Sequence, residues 1–368
     1  MSKTGFFYDE ICFWHGGGNY ALTVPVGGMV EPQANGGLPE NPETKRRFRN
    51  LVEVTGLIKD LHVSSGPAAT YEQLKKVHPK HYLSKFKNLS DKSGGELGLR
   101  VPFGPGGYEI ASKSAGLVIE AFRQVVQGDL KNAYALSRPP GHHCLPDFPN
   151  GFCLLNNIAI TIESLMKEMG LEKVLVLDWD VHHGNGTEHI FYERSDVYTI
   201  SIHQERNYPL DTGDFKDRGR GLGKGFNLNI PLPPGSGHKS YVEVMNKLVV
   251  PEIEMYKPDI IIVACGYDAS GVDPLGRMMC YGDTFRIMTE KVMEVANKIC
   301  QEKLVLAHEG GYSELHVPFC GHAVLKTLSS SSVDVVDVLE ERIRGQQPNP
   351  DFEAFISDYI DRLSRDLS

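Results

Sequence analysis

Short apolar runs bounded by glycine, proline and polar clusters recur along the chain, alternating with longer stretches whose apolar residues return every three or four positions. The short runs predict strands over residues 4–8, 133–136, 174–178, 197–203, 226–230, 257–264 and 303–307. Runs such as Ile260-Ile261-Ile262-Val263 are apolar on both faces, as a strand covered on both sides requires. The periodic stretches predict helices. One opens at Asn41-Pro42, a cap followed by an N1 proline, and carries Phe48, Leu51, Val52 and Leu57. Two short helices follow over 70–89, then others to about residue 127, near 155–169, through the 240s and near 282–300. A last amphipathic helix carries Phe352, Phe355, Ile356, Tyr359, Ile360 and Leu363, and docks on the domain or on a neighbouring subunit of a homo-oligomer. Three consecutive glycines make Cys12 to Tyr20 a long loop, either a surface loop with an apolar plug or the lining of a substrate entrance.

Strand, helix, strand alternation predicts a single α/β domain over residues 1–368. Its central sheet is mostly parallel with helices on both faces, and a helical extension begins at about residue 334. Ligands of such sheets bind outside the carboxyl ends of the strands. Here reactive side chains follow four strand ends: His142 and His143, then Asp178 to His182, then Asp268, then Tyr312. Singly, each has a plainer reading as a helix cap or a surface turn. A parallel sheet brings all four to one edge.

Asp180 and His182 are two residues apart, so in extended backbone they point the same way and can close on one ion. With Asp268 they offer three protein ligands and leave a position open, as catalytic metal sites do. An Asp, Asp, His shell accepts zinc and tolerates iron. A divalent ion activates water and polarises a carbonyl. Adjacent His142 and His143 repel when both are charged, so one stays neutral and the pair can serve as base and acid. Tyr312 follows two glycines that let its backbone swing, and its hydroxyl can donate to an oxyanion. The chain has no Gly-x-Ser-x-Gly elbow, and Cys265 lies inside an apolar run as a core residue. Direct attack of water on an amide is therefore favoured over an acyl-enzyme.

Composition narrows the classes. A formal net charge of −9 over 368 residues argues against nucleic acid as a partner, which calls for a basic stripe. No apolar run approaches the roughly 20 residues of a membrane helix, and the first residues lack the pattern of a secretion signal. Seven cysteines without a C-x-x-C pair fit free thiols in a reducing cytoplasm.

Four motifs carry a family resemblance: Arg138-Pro-Pro-Gly-His-His-Cys144, Asp178-Trp-Asp-Val-His-His-Gly-Asn-Gly186, Gly266-Tyr-Asp-Ala-Ser-Gly-Val-Asp-Pro274 and His308-Glu-Gly-Gly-Tyr312. Together they resemble zinc-dependent histone deacetylases, above all the class II branch and its bacterial histone deacetylase-like amidohydrolases, from about Gly5 to about Leu328. The resemblance implies an arginase-like fold, zinc on Asp180, His182 and Asp268, hydrolysis of acyl-lysine amides, and inhibition by hydroxamates. It implies that Asp178 orients His142 and, with oxygens from Asp180, His182, Ser201 and Ile202, binds a structural potassium ion. A second monovalent site would use carbonyls of Phe191, Arg194, Val197 and Phe226. Asn185 stands where the class I branch has an acid behind the second histidine, which makes His143 less basic. Phe152 and Tyr208 would wall the acyl-lysine tunnel, with Gly311 also at the substrate, and Tyr208 stands where phenylalanine is usual. Glu96 is a candidate for the family's acidic rim residue. Leu275 replaces the glutamate by which acetylpolyamine-specific relatives select a cationic chain. An acetylpolyamine amidohydrolase remains the first alternative. A non-catalytic binder of acylated ligands and an arginase-like two-metal ureohydrolase are further ones.

Overall fold

The structure, a computed structural model, describes residues 3–16, 20–21, 24–32 and 38–367. The apolar runs form the strands of one sheet: β1 (Thr4–Phe7), β2 (Leu61–Ser64), β3 (Asn132–Ala135), β4 (Val174–Asp178), β5 (Val197–Gln204), β6 (Asn227–Leu232), β7 (Ile260–Cys265) and β8 (Leu304–His308). All eight pair in parallel, in the order β6-β5-β4-β7-β8-β3-β1-β2. Every residue of β4, β5, β7 and β8 is buried, as continuous rather than alternating apolar runs demand.

The helices are α1 (Glu43–Val54), α2 (Tyr71–Leu74), α3 (Lys80–Ser90), α4 (Gly107–Gln127), α5 (Asn157–Leu165), α6 (Asn185–Phe191), α7 (His238–Val244), α8 (Val250–Tyr256), α9 (Gly282–Cys300), α10 (Val317–Ser329), α11 (Glu340–Gly345) and α12 (Pro350–Leu367). Helices α2 to α6 pack on one another as one layer, and α1, α7 to α10 and α12 form the other. A π-helical turn, Met245–Val249, joins α7 to α8. From neighbouring β4 and β7 the chain proceeds in opposite directions, to β5 through α6 and to β8 through α9. Right-handed crossovers then place those two helices on opposite faces and open a crevice between β4 and β7. Among the described residues, no helix is long and apolar enough to cross a membrane.

Several sequence expectations need correction. The helix expected to include Leu57 ends at Val54, because Gly56 is left-handed (φ 85°) and starts a 3-10 turn in which Leu57 is buried. Strand β2 was not foreseen. It is an edge strand with a single buried residue, Leu61, so its apolar signal is weak. Helix α10, Val317–Ser329, is not among the helices expected from the sequence either. Part of the expected loop after Cys12 belongs to a 3-10 helix, Glu10–Trp14, with Cys12 and Phe13 in the core. Residues 17–19 of that loop lie outside the described residues. The terminal helix docks on its own domain. Ile356, Ile360 and Leu363 of α12 are buried, and the Tyr359 hydroxyl donates to the Pro231 carbonyl at 2.9 Å.

Candidate active site

Four adjacent strands, β4, β7, β8 and β3, end at one edge, and each delivers part of one site. Beyond β4 the chain buries Trp179 and Val181 in the core and turns Asp180 and His182 together. Side chains clamp this segment through its backbone. Asp178 Oδ1 accepts from the Asp180 N–H (3.0 Å), Asp180 Oδ1 from the His182 N–H (2.9 Å), and Asp268 Oδ1 from the Val181 N–H (2.8 Å). The last of these ties the loop after β4 to the loop after β7. Potential ligand atoms of Asp180, His182 and Asp268 all lie within 4.8 Å of one another, and all three residues are buried.

His182 Nδ1 stands 3.0 Å from Asp180 Oδ1 and 3.0 Å from Asp268 Oδ2. Both carboxylates thus face one imidazole nitrogen, and Asp268 Oδ2 is a buried oxygen without a hydrogen-bond partner. Burial and the Asp180 charge push the Asp268 carboxyl up to about 7. Two carboxylates and an imidazole with an orphaned oxygen fit a divalent cation, which would relieve that repulsion. The backbone leaves room for the cluster. A Cβ on Gly310 would sit 2.1 Å from Asp268 Oδ2, and one on Gly266 2.2 Å from Asp180 Oδ2. His142, Cys153 and Glu309 also approach one another, but burial holds the Cys153 thiol well above its usual range, so it is no thiolate ligand.

His142 and His143 leave β3 on a turn of two prolines and a glycine, their ring centroids 4.0 Å apart. His142 Nδ1 lies 2.9 Å from Asp178 Oδ2, and His143 Nδ1 lies 2.8 Å from Oδ1 of Asn185, the first residue of α6. Burial disfavours a charged His142, but the Asp180 and Asp178 carboxylates outweigh it and raise its pKa well above the usual value. Burial, followed by the neighbouring His142 and His182 rings, drives His143 well below it. One ring therefore holds its proton while the other is free to take one.

Three positioning residues escaped the sequence reading. Glu309 accepts from the backbone N–H groups of Gly141 (2.7 Å) and His142 (3.1 Å) and so fixes the histidine turn. Asn150 donates to the His143 carbonyl at 2.6 Å. Asp273 accepts from the N–H groups of Tyr312 (2.7 Å) and Leu275 (2.9 Å). Gly311 (φ 120°) sets the bend before Tyr312, and Asp273 holds the Tyr312 N–H in this arrangement. Burial keeps the Tyr312 hydroxyl protonated far above neutral pH. Cys265 is core as expected, its thiol pushed up to about 12 by burial.

A pocket of about 120 Å³ leads to these groups, lined by Arg100, His143, Gly151, Phe152, His182, Asn207, Tyr208, Leu275 and Tyr312. Phe152 packs edge-on to Tyr312 with centroids 5.7 Å apart, and Tyr208 stands edge-on to His143 at 5.0 Å. Glu96 is not in the lining. Its carboxylate turns back to accept from the Val101 N–H at 3.2 Å, and Arg100 of the same loop lines the pocket instead.

A family model for the histone deacetylase domain matches residues 38–328. The chain belongs to the histone deacetylase family. It is 51% identical over 362 residues to a histone deacetylase-like amidohydrolase of Pseudomonas aeruginosa, covering 98% of this chain and 95% of that protein. A probable deacetylase of Archaeoglobus fulgidus is 35% identical over 269 residues, 73% of this chain and 74% of that protein. The crystal structure of the HDA15 HD domain superposes with a TM-score of 0.80 at 26% identity, covering all of this chain (100%) and 98% of that one.

In this histone deacetylase-family chain the residues expected around potassium fall into two groups. Asp178, Asp180 and His182 lie at the carboxyl end of β4, and Ser201 is the β5 register partner of Asp178, followed by Ile202. Phe191, Arg194, Val197 and Phe226 gather at the opposite end of β5 and β6. There the Phe191 carbonyl accepts from the Arg194 N–H (2.9 Å) and the Phe226 carbonyl from the Thr199 N–H (3.2 Å), leaving each a second lone pair.

Proposed function

We propose that this histone deacetylase-family member removes acetyl or another short acyl group from Nε-acyl-lysine or a similar amide. Zinc would be held by Asp180, His182 and Asp268. The observation that carries the reading is the meeting of those three ligand groups, within 4.8 Å, beneath a pocket that also exposes His143 and Tyr312. Zinc bound there supplies a Lewis acid that polarises the substrate carbonyl and lowers the pKa of water.

The chain's own residues do the rest. Phe152 and Tyr208 wall an acyl-lysine stem and exclude solvent from the amide. Because His143 Nδ1 bonds to the Asn185 amide oxygen, its proton sits on Nδ1 and its Nε2 is a free base for the attacking water. The same nitrogen can return that proton to the departing amine. His142, held by Asp178, keeps its proton and places a positive charge beside the reacting centre. The Tyr312 hydroxyl donates to the oxygen that gains charge as the amide carbon becomes tetrahedral. An uncharged Asn185 behind His143 supports the class II branch. Potassium on the two oxygen groups flanking β5 would hold the β4 and β5 ends in place. Leu275, uncharged in the pocket lining, favours acyl-lysine over a polyamine.

The test compares acetate release from acetyl-lysine peptides and from acetylputrescine, with metal content measured on the same preparations. The reading expects one zinc per chain, preference for the peptide, loss of zinc in Asp180→Ala, and a drop of roughly 10²–10³-fold in kcat for Tyr312→Phe with zinc retained. Preference for acetylputrescine would move the assignment to polyamines. Full activity in Asp180→Ala would end the metal reading.

A further inference from the structure

At the open end of the pocket, Arg100 is exposed, and its guanidinium carbon lies 5.8 Å from the centre of the Tyr208 ring. Its backbone is left-handed (φ 61°) and is held on both sides. The Leu99 N–H donates to the Pro149 carbonyl (3.2 Å), the Gly151 N–H to the Leu99 carbonyl (3.1 Å) and the Phe152 N–H to the Arg100 carbonyl (3.2 Å). The loop that carries the guanidinium is thereby fastened to the segment that carries the pocket wall. Val101 is fastened as well, through its N–H to the Glu96 carboxylate. That bond engages the nearest acid of the loop with backbone, not with Arg100.

Arg100 has the Tyr208 ring as its partner and makes no ion pair with a carboxylate among the described residues. Its place sets it apart: it lines the pocket above the candidate site, and no Asp or Glu is among that pocket's lining residues. The neighbouring mouth residues do not compete for it, since Asn207 donates to the Leu275 carbonyl at 3.0 Å and Leu275 is apolar. The planar guanidinium suits a carboxylate through two parallel N–H donors, and the Tyr208 ring beside it keeps it near the pocket mouth.

We infer that Arg100 is a specificity-determining residue that receives a carboxylate of the substrate outside the tunnel, next to the acyl-lysine being cut. It thereby selects acidic over cationic substrates. The inference rests on the acyl-lysine reading above. Two sources share this chemistry: an Asp or Glu side chain flanking the acyl-lysine in a peptide, and the α-carboxylate of free Nε-acyl-lysine.

The experiment measures kcat/KM of the zinc-loaded protein on acetyl-lysine peptides that differ only in one flanking residue (Asp, Ala or Lys), and on free Nε-acetyl-lysine against its carboxamide. An exposed pair of this kind is worth about two- to fivefold of acidic over neutral substrate, in at least one of the two series, with the Lys peptide poorest. The preference should shrink as salt rises from low to near-molar concentration. Arg100→Gln should bring the acidic-to-neutral ratio close to one, and Arg100→Glu should invert it. The series in which the ratio moves identifies the source of the carboxylate. A wild-type ratio indifferent to charge and salt, or one that Arg100→Gln and Arg100→Glu leave unaltered, overturns the inference while the deacylase reading stands. Absence of turnover on every acetyl-lysine substrate removes that reading and this inference with it.

Discussion

His143 and Glu309 act on the same turn in different ways, and their variants should separate chemistry from positioning. His143 faces the pocket and, in the proposed reaction, moves the proton. His143→Ala should therefore lose roughly 10²–10⁴-fold in kcat with KM and zinc content little changed. Glu309 is not among the residues that line the pocket. It satisfies two buried backbone donors, and Glu309→Ala leaves both unpaired at a cost of about 1–3 kcal/mol each. That variant should show a lower unfolding midpoint together with reduced kcat, and Glu309→Gln should recover part of both. Denaturant titration alongside steady-state kinetics checks the pair; a Glu309→Ala protein of wild-type stability would refute the positioning role. This contrast also explains what the sequence made legible. Asp180 and His182 could be read because alternation along an extended chain is a local rule. Glu309, Asp273 and Asn150 could not, because their partners are backbone groups of other segments and nothing in local spacing records which amide a carboxylate will reach.

Elements were legible in proportion to how much of them is buried. Strands β4, β7 and β8 announce themselves because every residue is covered, whereas β2 hides because three of its four residues are not fully buried. Helix α9 spans the expected 282–300, its buried residues Phe285, Met288, Val292, Val295 and Ala296 recurring along one face. Its neighbour α10 mixes Pro318, Cys320, Gly321 and His322 among its buried residues, a weaker periodic signal. The terminal α12 lies beyond the stretch matched by the family model, yet its Ile360 is fully buried and the helix packs on α7. If α12 is part of the cooperative unit, Ile360→Ala should cost about 2–5 kcal/mol and shift one single unfolding transition, with kcat/KM of the folded protein unchanged. Circular dichroism and intrinsic fluorescence followed through the same urea titration provide the check. A separate early transition in the variant, with the main one unmoved, would mean that the helix folds as an appendage.

Across the whole molecule, one topological choice sets both the chemistry and a liability. The opposite crossovers from β4 and β7 open the crevice that collects the site's side chains from four strands, and imidazoles outside the ligand set, His78 and His15 among them, are buried as well. His78 joins the loop at Pro146 to the start of α5: its Nδ1 lies 2.8 Å from the Pro146 carbonyl, and its Nε2 accepts from the Asn156 N–H at 3.0 Å. A second proton on the ring would destroy that acceptor. Burial lowers the His78 pKa to about 4, and burial together with the Arg138 charge lowers that of His15 to about 3, from 6.5 in both cases. Both values are depressed, so an unfolded chain binds protons below pH 6.5 that the native one refuses. Their contribution to stability is full above that pH and is lost as pH drops, until the native rings titrate near 4 and 3. By pH 5 each histidine should have cost about 2 kcal/mol, a large share of a typical total of roughly 5–15 kcal/mol. Glu40 adds nothing in this window, since burial is outweighed by Arg138 and Lys45, which hold its carboxyl at about 2. Buried carboxyls that are raised, such as Asp268, act in the opposite sense, so urea midpoints at pH 7.5, 6 and 5 isolate the His78 share only by comparing the wild type with a variant that cannot titrate there. His78→Gln, which keeps a donor and an acceptor but no titrating ring, should lose about 2 kcal/mol less over the same range. Identical pH dependence in the two proteins would show that His78 does not titrate on unfolding and would return the acid sensitivity to other groups.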